Sequence, residues 1–167
     1  MSIILSLLLF FIGLELIVVK SLGVLHFFIL VYLTVLSYFD LKKREVENSV
    51  FIVFYVLGGF LAYFFKKPLI DTDFYFAVVI LVASIILFYA VESAIGGADV
   101  KALFIIAYFI GIDSFTTTLL LSTIFGVIAE KVLNVLEEYK YKVDKNVPFL
   151  FCLQLAYVGG LIFEKVF

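Results

Sequence analysis

The chain has 167 residues, 65% hydrophobic and only 16% charged, with a mean hydropathy of +1.24; a water-soluble fold of this size cannot bury that much apolar surface, so lipid must be its solvent. A formal net charge of −2 gives no basic surface for nucleic acid. One cysteine, Cys152, and one histidine, His26, exclude an internal disulfide and a Cys- or His-based metal cluster, and neither a metal nor another cofactor is expected.

Apolar runs separated by polar, Gly and Pro punctuation predict helices near 3–19, 22–39, 49–65, 73–92, 100–112, 115–133 and 147–163. The expected fold is all-α: a single polytopic transmembrane bundle of six or seven spans covering residues 1–167. The first run has no basic region before it and no small-residue cleavage site, so it reads as a retained helix. Residues 3–39 as one helix would measure about 55 Å against a hydrocarbon core of about 30 Å, so a break is expected at residues 20–23. The fifth run, 100–112, covers only about 20 Å and keeps its first residues near membrane depth. Residues 137–146 read as a helix leaving the membrane and a turn before Pro148.

Basic residues orient the bundle. With the N-terminus in the cytoplasm, the inner loops hold eight Lys and Arg (Lys42, Lys43, Arg44, Lys101, Lys131, Lys140, Lys142, Lys145) and the outer ones four (Lys20, Lys66, Lys67, Lys165). That topology places Asp40, ending the second span, and Asp99, opening the fifth, at the cytoplasmic face of the cell membrane.

Ionisable residues are costly within lipid spans and usually serve a purpose there. Asp40 can be read simply as a helix-end carboxylate, and Asp99 as an N-cap favoured by the helix dipole. Together, at one membrane face, they point to a site. Gly96 and Gly97 permit backbone conformations and close approaches closed to other residues, so they could admit an extended peptide and water to Asp99; a plain helix break explains them equally. Two facing aspartates have a known use. Only one of them ionises readily, so the pair shares a proton; the ionised member deprotonates a water while the other polarises a peptide carbonyl and later protonates the leaving amine.

The elements Tyr38-Phe39-Asp40-Leu41-Lys42-Lys43-Arg44-Glu45-Val46-Glu47-Asn48, Gly96-Gly97-Ala98-Asp99-Val100-Lys101 and Val147-Pro148-Phe149 resemble the type IV prepilin peptidases, in particular the archaeal preflagellin and prepilin peptidases, over roughly residues 30–165. These are intramembrane aspartyl proteases of the GxGD type. The resemblance implies Asp40 and Asp99 as catalytic residues, with Gly96, Gly97, Ala98, Lys101 and Asn48 beside the substrate. The implied partners are prepilin or preflagellin precursors, whose short basic leader would be held by Glu45 and Glu47, together with membrane lipid. Two features depart from the family. Its Gly before the second Asp is Ala98 here, and its Ile-Pro-Asn after the first Asp appears as Val46-Glu47-Asn48, without the Pro. Large bacterial members carry a cytoplasmic insert with paired Cys-x-x-Cys motifs linked to N-methylation; with one Cys and no such insert, only proteolysis is implied. The first span resembles an addition to the smaller archaeal form.

The other polar residues have plainer readings. Lys101, two positions after Asp99, does not share its face, and snorkelling to the interface is its default. Structural hydrogen bonding is expected for His26, and interhelical bonding for Glu15 and Gln154. Glu92 and Ser93 either line the cavity or meet headgroup water. The alternative functions are a small transporter relaying protons or cations through Asp40 and Asp99, and a non-catalytic scaffold.

Overall fold

The structure, a computed structural model, describes residues 2–19, 23–43, 45–65, 67, 70–90, 96–138 and 148–163. Six helices form along these residues: α1 (Ser2–Val19), α2 (Val24–Lys43), α3 (Asn48–Phe64), α4 (Thr72–Ala90), α5 (Gly97–Glu138) and α6 (Phe149–Phe163). Three of them (Val24–Lys42, Thr72–Ala90 and Gly97–Val132) are long and apolar enough to cross a membrane, and the other three are shorter apolar helices. The bundle carries large apolar side chains on its outside, among them Ile52, Phe60 and Tyr63 of α3 and Ile86 and Tyr89 of α4. Lipid solvates such a surface, which would be unstable in water.

Helix α6 is the central element, packed on α1, α2 and α5, while α4 packs on α5 and α3 touches α2 and α5 only sparingly. Leu30, Leu33 and Leu36 of α2, Ile106 of α5 and Leu150, Leu153 and Leu161 of α6 fill the core. Its polar centre is Gln154, fully buried as interhelical bonding requires. Ser6 Oγ donates to Gln154 Oε1 (2.8 Å), and Gln154 Nε2 donates to the Ser6 carbonyl (3.1 Å) and to Thr34 Oγ1 (3.0 Å), so α1, α2 and α6 share one satisfied network. One turn further along α6, Tyr157 OH donates to the backbone carbonyl of His26 (3.2 Å). Glu15, expected to bond between helices, instead lies exposed on α1.

The fifth and sixth predicted runs together make α5, which is broken at Gly111 and not near residue 114 as the sequence suggests. Gly111 has φ 75° and ψ 177°, a conformation that favours glycine. The segment before it, α5a (residues 97–110), and the segment after it, α5b (residues 112–138), lie side by side: Leu103 of the first lines the same cavity as Phe115 and Leu119 of the second. The α5 turn is locked from outside. Lys67 Nζ donates to the Tyr108 carbonyl (2.6 Å), near the end of α5a, and to Asp73 Oδ2 (3.1 Å) at the start of α4. An orphan carbonyl of a helix end thus receives a cation, which the C-terminal end of the helix dipole favours. The expected break at 20–23, Glu92, Ser93 and the turn preceding Pro148 fall on residues outside those described, apart from Gly23.

Candidate active site

Two sequence elements far apart reach the same place, the first turn of α6. From α2, Asp40 Oδ2 accepts the Leu150 N–H at 3.0 Å. Leu150 is the second residue of α6, so its N–H has no partner within that helix, and Asp40 supplies one where the helix dipole is positive. From α5a, Asp99 lines a cavity of about 340 Å³ together with Phe149, the residue before Leu150.

Asp99 is held by its own turn. Helix α5 begins at Gly97, three residues earlier than its apolar run predicts, so Asp99 occupies the third helical position and is not an N-cap. Its Oδ2 accepts the N–H of Gly96 at 2.9 Å, while the Gly96 carbonyl accepts the N–H groups of Asp99 (3.0 Å) and Val100 (3.2 Å). This is half of a capping box, in which the third helical residue reaches back to the cap. A β-carbon on Gly96 would stand 3.0 Å from Asp99 Oδ2, whereas one on Gly97 would meet nothing within 4 Å. The two glycines therefore differ: Gly96 makes room for the carboxylate, and Gly97 opens the helix. Ala98, where the resembled family has Gly, is half-buried and packs against the core.

Lys101 points the other way. Its Nζ donates to Asn48 Oδ1 at the start of α3 and stands 5.3 Å from the centre of the Phe51 ring, and its carbonyl accepts Tyr55 OH at 3.4 Å. The expected snorkelling gives way to this contact, because α3 offers an acceptor within reach. Glu45 and Glu47 are exposed in the short connection that leads from α2 to Asn48. Ser49 Oγ donates to Glu47 Oε2 (3.4 Å).

The cavity beside Asp99 runs between Ile80, Ala83, Ser84 and Leu87 of α4 and Leu103, Phe115, Leu119 and Thr123 of the two arms of α5. Ser84 is a member that the sequence analysis missed; a buried serine within an otherwise apolar α4 is the signal that marks it. Ser37, likewise buried, lies one turn before Asp40 on the same face of α2. Asp99 lines this apolar cavity beside Phe149, and Asp40 bonds the next residue, Leu150; each carboxylate accepts a backbone N–H at a helix start. Such a pair can take a proton from water and return one to a leaving group without a covalent intermediate.

Residues 27–129 match the model of the type IV leader peptidase family. The matched stretch holds most of α2 and α5 and all of α3 and α4, and so both aspartates; α1 and α6 lie outside it. No curated protein and no solved structure matches the chain.

Proposed function

The chain belongs to the type IV leader peptidase family, and from that premise we propose that it is an intramembrane aspartyl endopeptidase of the GxGD type, similar to the archaeal preflagellin and prepilin peptidases. Its substrates are pilin-like or flagellin-like precursors, cut where a short basic leader meets a long apolar helix at the cytoplasmic boundary of the cell membrane. Asp40 and Asp99 are the catalytic pair. One carboxylate takes a proton from a water whose oxygen then bonds to the scissile carbonyl carbon. The other, protonated, polarises that carbonyl and gives its proton to the departing amine as the C–N bond breaks.

The observation that carries this reading is that Asp40 bonds the N–H of Leu150 while Asp99 shares a cavity with the preceding residue, Phe149. The apolar cavity at Asp99 supports it, since an apolar substrate segment could lie between α4 and α5 with its polar boundary at the acids. Exposed Glu45 and Glu47 suit a basic leader. A transporter would want its carboxylates spread through the membrane depth, whereas Asp40 and Asp99 share one end of the bundle.

The test is reconstitution of the full chain with a labelled leader peptide of a prepilin. Asp40→Asn or Asp99→Asn should each abolish cutting while the protein still inserts. Full activity in either variant overturns the reading, and ion flux without a cut product would favour transport. Charge reversal at both Glu45 and Glu47 should weaken cleavage of a Lys-rich leader; an unchanged rate removes them from leader binding.

A further inference from the structure

The first turn of α5a has a cavity on one side, so its position must be set from the other. Asp99 faces that cavity along with α4, α5b and Phe149. Lys101, two residues on, lies about 200° around the helix and faces α3. There it is held three ways by a single stripe: the Asn48 side-chain oxygen takes its ammonium, the Phe51 ring lies beneath that ammonium at 5.3 Å, and Tyr55 OH donates to its carbonyl at 3.4 Å. Asn48, Phe51 and Tyr55 fall at helical spacing on one face of α3. Phe51 is only 2% exposed, so the stripe is a packed surface at this point.

Elsewhere α3 is lightly attached, with much of its surface facing outward. Yet α2, which carries Asp40, ends at Lys43 and α3 begins at Asn48, so only four residues of chain separate the start of α3 from the end of α2. We infer that Lys101 and Asn48 form a clasp that sets the first turn of α5a against the segment following Asp40, making Lys101 a positioning residue that acts through Asn48 and not a charge partner of Asp99. The inference rests on the peptidase reading for its consequence, the alignment of the two carboxylates. Its physical content, the clasp, stands on the contacts of Lys101 alone. A lysine suits the role because a long stem carries a compact donor from one helix to the next.

Two measurements test it. In the cleavage assay, Asn48→Ala, Lys101→Met and the double variant form a cycle. Each single change should lower kcat about tenfold, as loss of a charge-assisted hydrogen bond allows, with KM changed less than about twofold. The double variant should be no slower than the worse single one, and Lys101→Arg should restore most of the rate. Multiplying losses, or a slow Lys101→Met beside a fully active Asn48→Ala, would overturn the clasp. Independently of activity, cysteines at 48 and 101 in a Cys152→Ala background should be joined by a short bifunctional thiol reagent in the membrane. Failure to join them overturns the contact. Should even the parent protein leave the leader peptide uncut, the peptidase reading fails, while the cross-link still decides whether the clasp exists.

Discussion

Gly96 and Asp99 act as one unit, in which the absence of a side chain on the first lets the carboxylate of the second fold back onto its N–H. Gly96→Ala would put a carbon 3.0 Å from Asp99 Oδ2 and push the carboxylate off its anchor. Leader cleavage should then fall about tenfold, the equivalent of roughly 1.4 kcal/mol, while expression and membrane insertion stay unchanged. Gly97→Ala meets no neighbour and should stay within about threefold of the parent, gaining a few tenths of a kcal/mol in helix propensity. Parallel kinetics of the two variants check the contrast; equal losses would show that the glycines serve backbone mobility and not the fit of Asp99. At this scale the sequence already singled out both aspartates, because a carboxylate inside an apolar run stands out in any reading. It could not show that Lys101 leaves Asp99 and joins Asn48, since that partner is 53 residues away.

The break in α5 turns a length of helix too great for one crossing into two arms that line a cavity together with α4. Gly111 makes the turn at φ 75°, and a β-carbon there would stand 3.2 Å from Asp73 Oδ1. Gly111→Ala should therefore cost about 1–2 kcal/mol from the backbone alone, with the contact adding to it. Thermal unfolding in detergent should show a Tm several degrees lower than the parent's; an unchanged Tm would mean that the turn relaxes without strain. The apolar pattern revealed that a break was needed and placed it within a few residues. The pattern misjudged the position because Asp113 and Ser114 look like punctuation, whereas the actual constraint is a positive φ at Gly111 beside Lys67 and the α4 residue Asp73, both distant in sequence. Likewise, α5 starts at Gly97 because Gly96 and Asp99 cap each other, a local bond that hydropathy does not register.

At the level of the whole bundle, apolar packing by itself holds helices weakly against lipid, and buried polar bonds add direction. Gln154 joins α6 to α1 and α2 through three hydrogen bonds. Gln154→Leu should keep the volume but lose the network, at a cost of about 1–2 kcal/mol judged from typical intramembrane bonds. Unfolding in graded denaturing detergent should report that loss, and cleavage should weaken with it if α6 shifts, because Leu150 on the same helix anchors Asp40. A variant as stable as the parent would assign the cohesion of these helices to packing alone.

What the sequence determined unaided was the solvent, the helical class and the approximate helices, and it marked two acids beside apolar runs as candidates; all of this depends on hydropathy and on charge placed within it. The resemblance rested on short motifs in order along the chain, and the match over residues 27–129 covers the two that hold Asp40 and Asp99 but not Val147-Pro148-Phe149. The tertiary structure alone decided that Asp40 and Asp99 approach one helix start, that Asp99 borders a cavity containing Ser84, and that Lys101 is tied to α3. The reason is physical: burial in lipid is a property of each residue with its near neighbours, whereas a site depends on which helix faces meet, and that is fixed by packing between segments a hundred residues apart.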